Sequence, residues 1–288
     1  MTILKHVSAA SLRLAQAGLS PTSAALDAEV LARHTLGWDR ATYFSNRRDR
    51  PPADFVARYD VLVARRARRE PVPFITGHRE FWGLDFEVTQ AVLTPRPDTE
   101  LIVEEVLALA AQGGGHAKAS WLIVDVGTGS GCLAITLAHE WPDATIIATD
   151  VSETALAVAR RNAAHHQVTD RITFARTSFL DNIEGTPDLI VSNPPYVPSP
   201  AAAALAPEVS VYEPRVAIDG GLNGLDVIHA LLGHAEARLQ QGGYLVMEFG
   251  AGQDDDVRHL VAKREKLKLV KVRHDLLDIP RTAVIRRR

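Results

Sequence analysis

Cysteine occurs once, at Cys132, in a chain of 288 residues. One thiol cannot close an intrachain disulfide, and it excludes a cysteine-based zinc cage. Such a chain suits a reducing compartment. No stretch approaches the roughly 18 consecutive apolar residues of a membrane span. The opening Met1-Thr2-Ile3-Leu4-Lys5 lacks the basic start and apolar run of a secretion signal. A cytoplasmic protein with no membrane partner is therefore expected. Charge of one sign is not in large excess either. The formal net charge of −3 argues against a protein whose main task is gripping long DNA.

What is present is ordinary globular material, 46% apolar and 23% charged, enough to build a core in one large domain or two smaller ones. The charge is unevenly spread: residues 1–75 are net positive and the remainder is net negative. Apolar residues at helical spacing predict helices over 7–17, 24–36 and 54–69, with Pro21 at a permitted early position and Pro51-Pro52 as punctuation. Residues 74–92 read as a β-hairpin linker around Phe81-Trp82-Gly83. A helix over 101–111 follows, ended by Gly113-Gly114-Gly115. Beyond it strands and helices alternate. Strands are expected over 121–126, 145–149, 172–175, 188–192 and 244–249, and helices over 132–139, 153–165, 224–239 and 254–263. Two final strands, 267–272 and 283–285, have no helix between them. This alternation predicts an α/β fold with a doubly wound, mostly parallel sheet and an antiparallel excursion at its end.

The clearest loop is Asp125-Val126-Gly127-Thr128-Gly129-Ser130-Gly131, after a strand and before a helix. Glycines there let a ligand lie against the backbone where a Cβ would collide. The spacing is G-x-G-x-G, and Cys132 stands where a dinucleotide fingerprint needs glycine. The next strand ends in Asp150, suited to accepting hydrogen bonds from both ribose hydroxyls. Asp125, just before the glycines, favours a ligand carrying an ammonium group, such as S-adenosylmethionine, over NAD. A tight turn with no ligand is the bland alternative.

The strand over 188–192 runs into Asn193-Pro194-Pro195-Tyr196. Asn-Pro is an ordinary turn starter, but this turn falls at the carboxyl edge of the sheet, where open α/β folds bind ligands. The Asn193 amide oxygen and the Pro194 carbonyl can accept both N–H bonds of a substrate amino group. The prolines keep those acceptors preorganised. Tyr196 offers an aromatic face to a flat, conjugated group. Such a grip aims a poorly basic nitrogen at an electrophilic methyl, so positioning carries much of the barrier.

These residues resemble a class I S-adenosylmethionine-dependent methyltransferase acting on a planar amino group. With Thr94-Pro95-Arg96-Pro97-Asp98-Thr99-Glu100, Phe81-Trp82-Gly83-Leu84 and Tyr212-Glu213-Pro214-Arg215, the chain is similar to the HemK/PrmC family over nearly its whole length. Members of that family methylate the glutamine of the Gly-Gly-Gln motif in peptide chain release factors. The resemblance implies a seven-stranded Rossmann-like catalytic domain over 96–288, a β-hairpin linker over 76–95 and a helical substrate-recognition domain over 1–75. It implies S-adenosylmethionine as cofactor, S-adenosyl-L-homocysteine as product, no metal, and a monomer with no stable nucleic-acid partner. Implied cofactor contacts are Gly127, Thr128, Gly129, Ser130, Gly131, Asp150, Asn193 and, on the adenine side, Phe179. Implied substrate contacts are Asn193, Pro194, Pro195 and Tyr196. Of these, Asn193, Pro194 and Tyr196 are the catalytic set. Arg96 and Glu100 are expected to line the methionine end or the glutamine pocket, while helix capping is an equal reading of residues 97–100. Amino-adenine methylation of DNA or RNA, glutamine methylation of a ribosomal protein, and a non-catalytic binding module are the alternatives.

Other features point less far. Ser130 lacks the G-x-S-x-G spacing of a hydrolase elbow. His165-His166 is expected to be a solvated helix end. Cys132 reads as a small buried residue, and Glu248 as either structural or bordering the site. The Arg65 to Arg69 stretch reads as a solvated helix face, or a dock for an acidic partner or ribosomal RNA.

Overall fold

The computed structural model describes residues 1–112 and 120–288, so the glycine run at 113–115 lies outside the described residues. The chain forms two compact units. The first is Met1–His78 with Ala206–Tyr212, and the second is Arg79–Leu205 with Glu213–Arg288. The hairpin therefore falls almost wholly in the second unit, and a segment from far downstream completes the first. Among the described residues no helix is long and apolar enough to cross a membrane.

The first unit holds helices α1 (Ile3–Gln16), α2 (Pro21–Leu36), α3 (Arg40–Asn46), α4 (Phe55–Ala67) and α5 (Val72–Thr76), with the short helix Pro207–Ser210. Local signals set their ends. Ser20 Oγ accepts from Ser23 N at 3.1 Å, Asp39 Oδ1 accepts from Thr42 N at 2.7 Å, and Gly37 closes α2 at φ 67°. Ile3, Leu14, Leu31, Phe55 and Tyr59 form the core. The Tyr59 hydroxyl is satisfied by donating to Ala28 O at 2.8 Å. Periodicity did not reveal α3, because seven residues are too few to show a repeat.

Three of the four arginines in the basic stretch are held in ion pairs, while Arg68 is exposed. Arg65 binds Glu70, Arg66 binds Asp27 at 2.7 Å and Glu208 at 2.9 Å, and Arg69 binds Glu208 at 2.7 Å. Arg66 is 6% exposed. Burial pushes the Glu208 carboxyl up, but hydrogen bonds from Arg69 and Arg66 outweigh it and hold the group below the ordinary carboxylate range.

In the second unit, β1 (His78–Phe81) and β2 (Leu84–Glu87) form the hairpin. Its two turn residues, Trp82 and Gly83, both have positive φ, as a two-residue turn of primed type requires. Next come α6 (Glu100–Gln112), β3 (Leu122–Val126), α7 (Cys132–Glu140), β4 (Thr145–Asp150), α8 (Glu153–His165), β5 (Ile172–Arg176) and β6 (Leu189–Ser192). Then follow α9 (Asp226–Arg238), β7 (Tyr244–Glu248), α10 (Asp254–Ala262), β8 (Leu267–His274) and β9 (Pro280–Arg287). Strand order is β5-β4-β3-β6-β7-β9-β8. Pairing is parallel from β5 to β7, and β9 is antiparallel to both neighbours.

Alternate strand residues feed two cores, one on each face. Ile123, Ile146 and Val246 pack with Val103, Val106 and Leu137. Val124, Ile190 and Leu245 pack with Ile228, Leu231 and Val257. The last two strands are eight residues each, longer than the apolar runs suggested. Lys268, Lys271 and Arg273 occupy the edge strand β8, where a half-solvated strand needs little apolar signal.

Replacing Glu208 by Gln is expected to destabilise the protein by about 1–3 kcal/mol, since Arg66 loses a buried partner but keeps Asp27. Urea denaturation should show the loss at neutral pH. It should shrink as pH falls through the lowered carboxyl value, where the parent loses the same contribution.

Candidate active site

The chain leaves β3 for β4 on one side, and the later β6 pairs on the other, so a crevice opens at the carboxyl ends of β3 and β6. Ser192 Oγ donates to Val126 O at 2.7 Å and ties the two strand ends together. A cavity of about 330 Å³ lies there, bordered by the glycine turn and the Asn193 loop.

Gly127 and Gly129 have φ of 73° and 55°, a region that favours glycine. A Cβ on Gly127 would meet nothing within 4 Å, and one on Gly129 only a backbone oxygen at 4.0 Å, so the turn leaves open space beside it. Thr128 and Ser130 also line the cavity. Gly131 does not. A Cβ there would meet Ile135 Cδ1 at 2.9 Å and Ala159 Cβ at 3.2 Å. The bare backbone at this position lets α7 pack against Ala159 of α8.

Two acids end the adjacent strands. Asp125 is 1% exposed, and its Oδ2 accepts from Thr128 Oγ1 at 2.6 Å and Ala134 N at 3.2 Å. Its Oδ1 is buried with no hydrogen-bond partner among the described residues. Burial pushes this carboxyl up to about 7, against the two hydrogen bonds and with help from the nearby Asp150 charge. Asp150 accepts from Gly129 N at 3.0 Å and Ser152 N at 2.9 Å, one on each oxygen. Burial raises its carboxyl as well. Phe179 lines the same cavity at φ 49°, its ring stacked on His234 with centroids 4.9 Å apart.

On the other loop, Asn193, Pro194 and Pro195 line the cavity. Asn193 Nδ2 donates to Thr99 Oγ1 at 2.9 Å, and Thr99 Oγ1 donates to Glu248 Oε2 at 2.6 Å. Tyr196 does not line the cavity. Its hydroxyl donates to Glu248 Oε1 at 3.0 Å. Burial raises both the Tyr196 phenol and the Glu248 carboxyl. The backbone is pinned from behind. Gln253 Nε2 donates to Tyr196 O at 3.0 Å, and a Cβ on Gly224 would sit 2.2 Å from that same oxygen.

Arg96 lines the cavity and donates to Glu213 Oε2 at 2.6 Å; Glu213 also accepts from Thr94 N at 3.3 Å. Burial raises the Glu213 carboxyl despite the Arg96 charge. Glu100 lies outside the cavity lining and accepts from Trp82 N at 2.9 Å, capping the hairpin turn. Cys132 borders the cavity, and burial raises its thiol. Glu213 and Gln253 received no individual role from the sequence, and Thr99 only that of a helix cap. Glu248 had a signal, since it is the one acid in the apolar strand Tyr244–Glu248.

The doubly wound sheet, the glycine turn and the Asn-Pro-Pro-Tyr loop at its switch point define a Rossmann-like methyltransferase. Residues 6–77 match the PrmC N-terminal domain model, and residues 107–208 match the methyltransferase small domain model. The release factor glutamine methyltransferase of Koribacter versatilis is 40% identical over 286 residues, covering 99% of this chain and 98% of that protein. That of Geobacter sulfurreducens is 44% identical over 247 residues, covering 85% and 82%. The hMettl16 catalytic domain, solved in complex with MAT2A 3'UTR hairpin 6, shares the fold at a TM-score of 0.57 and 16% identity, covering 78% of this chain and 81% of that one. The chain belongs to the release factor glutamine methyltransferase family.

The Asp125 carboxyl keeps its proton in the folded state at pH values where the unfolded chain has lost it. Ligand-free protein should therefore lose stability from this group as pH rises from about 4 to about 7, and no further above that. The Asp125→Asn variant lacks this titration. Its melting temperature relative to the parent should climb over that window and then level off, as read by thermal melts across pH.

Proposed function

We propose that this protein transfers a methyl group from S-adenosylmethionine to the side-chain amide nitrogen of the Gly-Gly-Gln glutamine in peptide chain release factors, acting in the cytoplasm. The observation that carries the reading is the pair of loops at one crevice: glycines open to a ligand on one side, and an amide oxygen free to accept on the other. The family membership supports the same substrate.

The residues present fit the cofactor. The open face of Gly127 and Gly129 would admit its backbone-hugging portion, and Asp150 would accept ribose hydroxyls. The buried, unpartnered Asp125 Oδ1 would meet its ammonium, and Phe179 would pack its adenine. When bound, the cofactor supplies an electrophilic methyl on sulfonium.

The chain's own residues do the rest. Asn193 Oδ1 and the Pro194 carbonyl accept the two N–H bonds of the glutamine amide and hold its nitrogen toward the donor. With Nδ2 committed to Thr99, the Asn193 amide presents its oxygen. Burying the amide beside Pro194 and Pro195 strips water from the nucleophile. Transfer would form the N–C bond as the donor's S–C bond breaks, leaving S-adenosyl-L-homocysteine. The nitrogen then becomes acidic and releases one proton to water, so no strong base is needed beforehand. The first unit is the proposed recognition domain for the release factor.

Mass spectrometry of release factor incubated with this protein and cofactor should show one added CH2 on the Gly-Gly-Gln peptide. Methyl transfer to DNA or RNA, with none to release factor, would overturn the assignment. Asn193→Ala should cut turnover by about 10²–10³-fold or more while leaving the circular dichroism spectrum unchanged.

A further inference from the structure

Asn193 is a carboxamide, and a carboxamide can be seated two ways. Only one of them turns an acceptor toward the substrate; the other turns a donor, which would repel the N–H bonds it should grip. Something must therefore decide which end faces the cavity. Among the described residues, no donor meets Asn193 Oδ1, and the only partner of Nδ2 is Thr99 Oγ1 at 2.9 Å.

We infer that Thr99 and Glu248 form a polarity relay that fixes the orientation of the Asn193 amide. This rests on the reading of Asn193 as the group that holds the substrate amide. Glu248 begins the relay. It is 1% exposed, and hydroxyl donors occupy both its oxygens, Tyr196 at 3.0 Å and Thr99 at 2.6 Å. In its ionised form, which the Thr99 and Tyr196 hydroxyls favour against the burial that raises it, the carboxylate offers no hydrogen. Thr99 has one hydroxyl hydrogen, and Glu248 takes it. Thr99 can then only accept, and what it accepts is Nδ2–H. The amide oxygen is left for the cavity. Each step follows from counting hydrogens, and each group is buried enough that water does not scramble the direction: Thr99 is 2% exposed. The other charged groups near Glu248 are Asp98 and Arg281, of opposite sign. Thr99 and Glu248 are thus positioning residues. They touch no reacting atom in this assignment.

Two substitutions separate this role from mere packing. Thr99→Val keeps the shape and removes the relay atom, whereas Thr99→Ser keeps it. Glu248→Gln keeps the number of hydrogen bonds but allows their direction to reverse. Its NH2 can donate to Thr99, which then donates to Asn193 and turns the amide over. The expected result is a fall in kcat of about 10–10²-fold for Thr99→Val and for Glu248→Gln, with calorimetric affinity for S-adenosylmethionine unchanged and kcat restored in Thr99→Ser. A second readout does not need turnover. The Asn193 side-chain NH2 resonances, assigned by their loss in Asn193→Asp, should exchange slowly with solvent in the parent and in Thr99→Ser, and fast in Thr99→Val. Parental kcat in Thr99→Val, or equal exchange protection in all three proteins, overturns the relay. If the parent itself methylates no release factor, the proposed substrate falls, while the exchange measurement still decides whether Thr99 orients Asn193.

Discussion

The site depends on one topological constraint. The edges of β3 are claimed by β4 and β6, which lie far apart in the sequence. The loops that follow β3 and β6 are pushed to opposite sides of the same gap. One brings a glycine turn whose backbone stays bare; the other brings an asparagine between a strand and two prolines. Neither loop has to be flexible to meet the other. The hydrogen bond from Ser192 to Val126 O holds the floor of the gap at fixed width.

Around that gap, the buried acids divide into two kinds. Glu248 and Glu213 have their oxygens met by protein donors, and they orient neighbours: Asn193 through Thr99 in one case, Arg96 in the other. Asp125 keeps one oxygen without a partner. A buried acceptor left open is costly unless something supplies the missing donor.

Much of the fold was legible in the sequence because its signals are local. The helix over 153–165 was placed to the residue, since Ser152 caps it and its apolar spacing is regular. The parallel strands are short apolar runs between helices, and the antiparallel end followed from two strands with no helix between them. The Asn193 loop and the glycine turn could be read because their residue types are rare in that order. Thr99 sits inside a quoted motif but was read only as a helix cap. Its importance lies in partners 94 and 149 residues away, and a single threonine carries no mark of them. Nor were the partners of Tyr196 and Glu100 legible: their side chains reach Glu248 and the Trp82 amide. Gly131 was grouped with the other glycines by spacing, and its close approach to Ile135 and to Ala159 on another helix was not visible.

The first unit is discontinuous, closed by Ala206–Tyr212 through Glu208 on Arg66 and Arg69, and by the Tyr212 hydroxyl on Arg68 O. During synthesis, the amino-terminal helices leave the ribosome long before this segment does. Domains generally mature in the order they emerge, but here the earliest part to appear must wait for more than 120 further residues before its buried arginine gains its second carboxylate. Completion of the leading helices is thereby tied to translation of the sheet through β6, and a nascent chain arrested before that point lacks the carboxylate that Arg66 and Arg69 share.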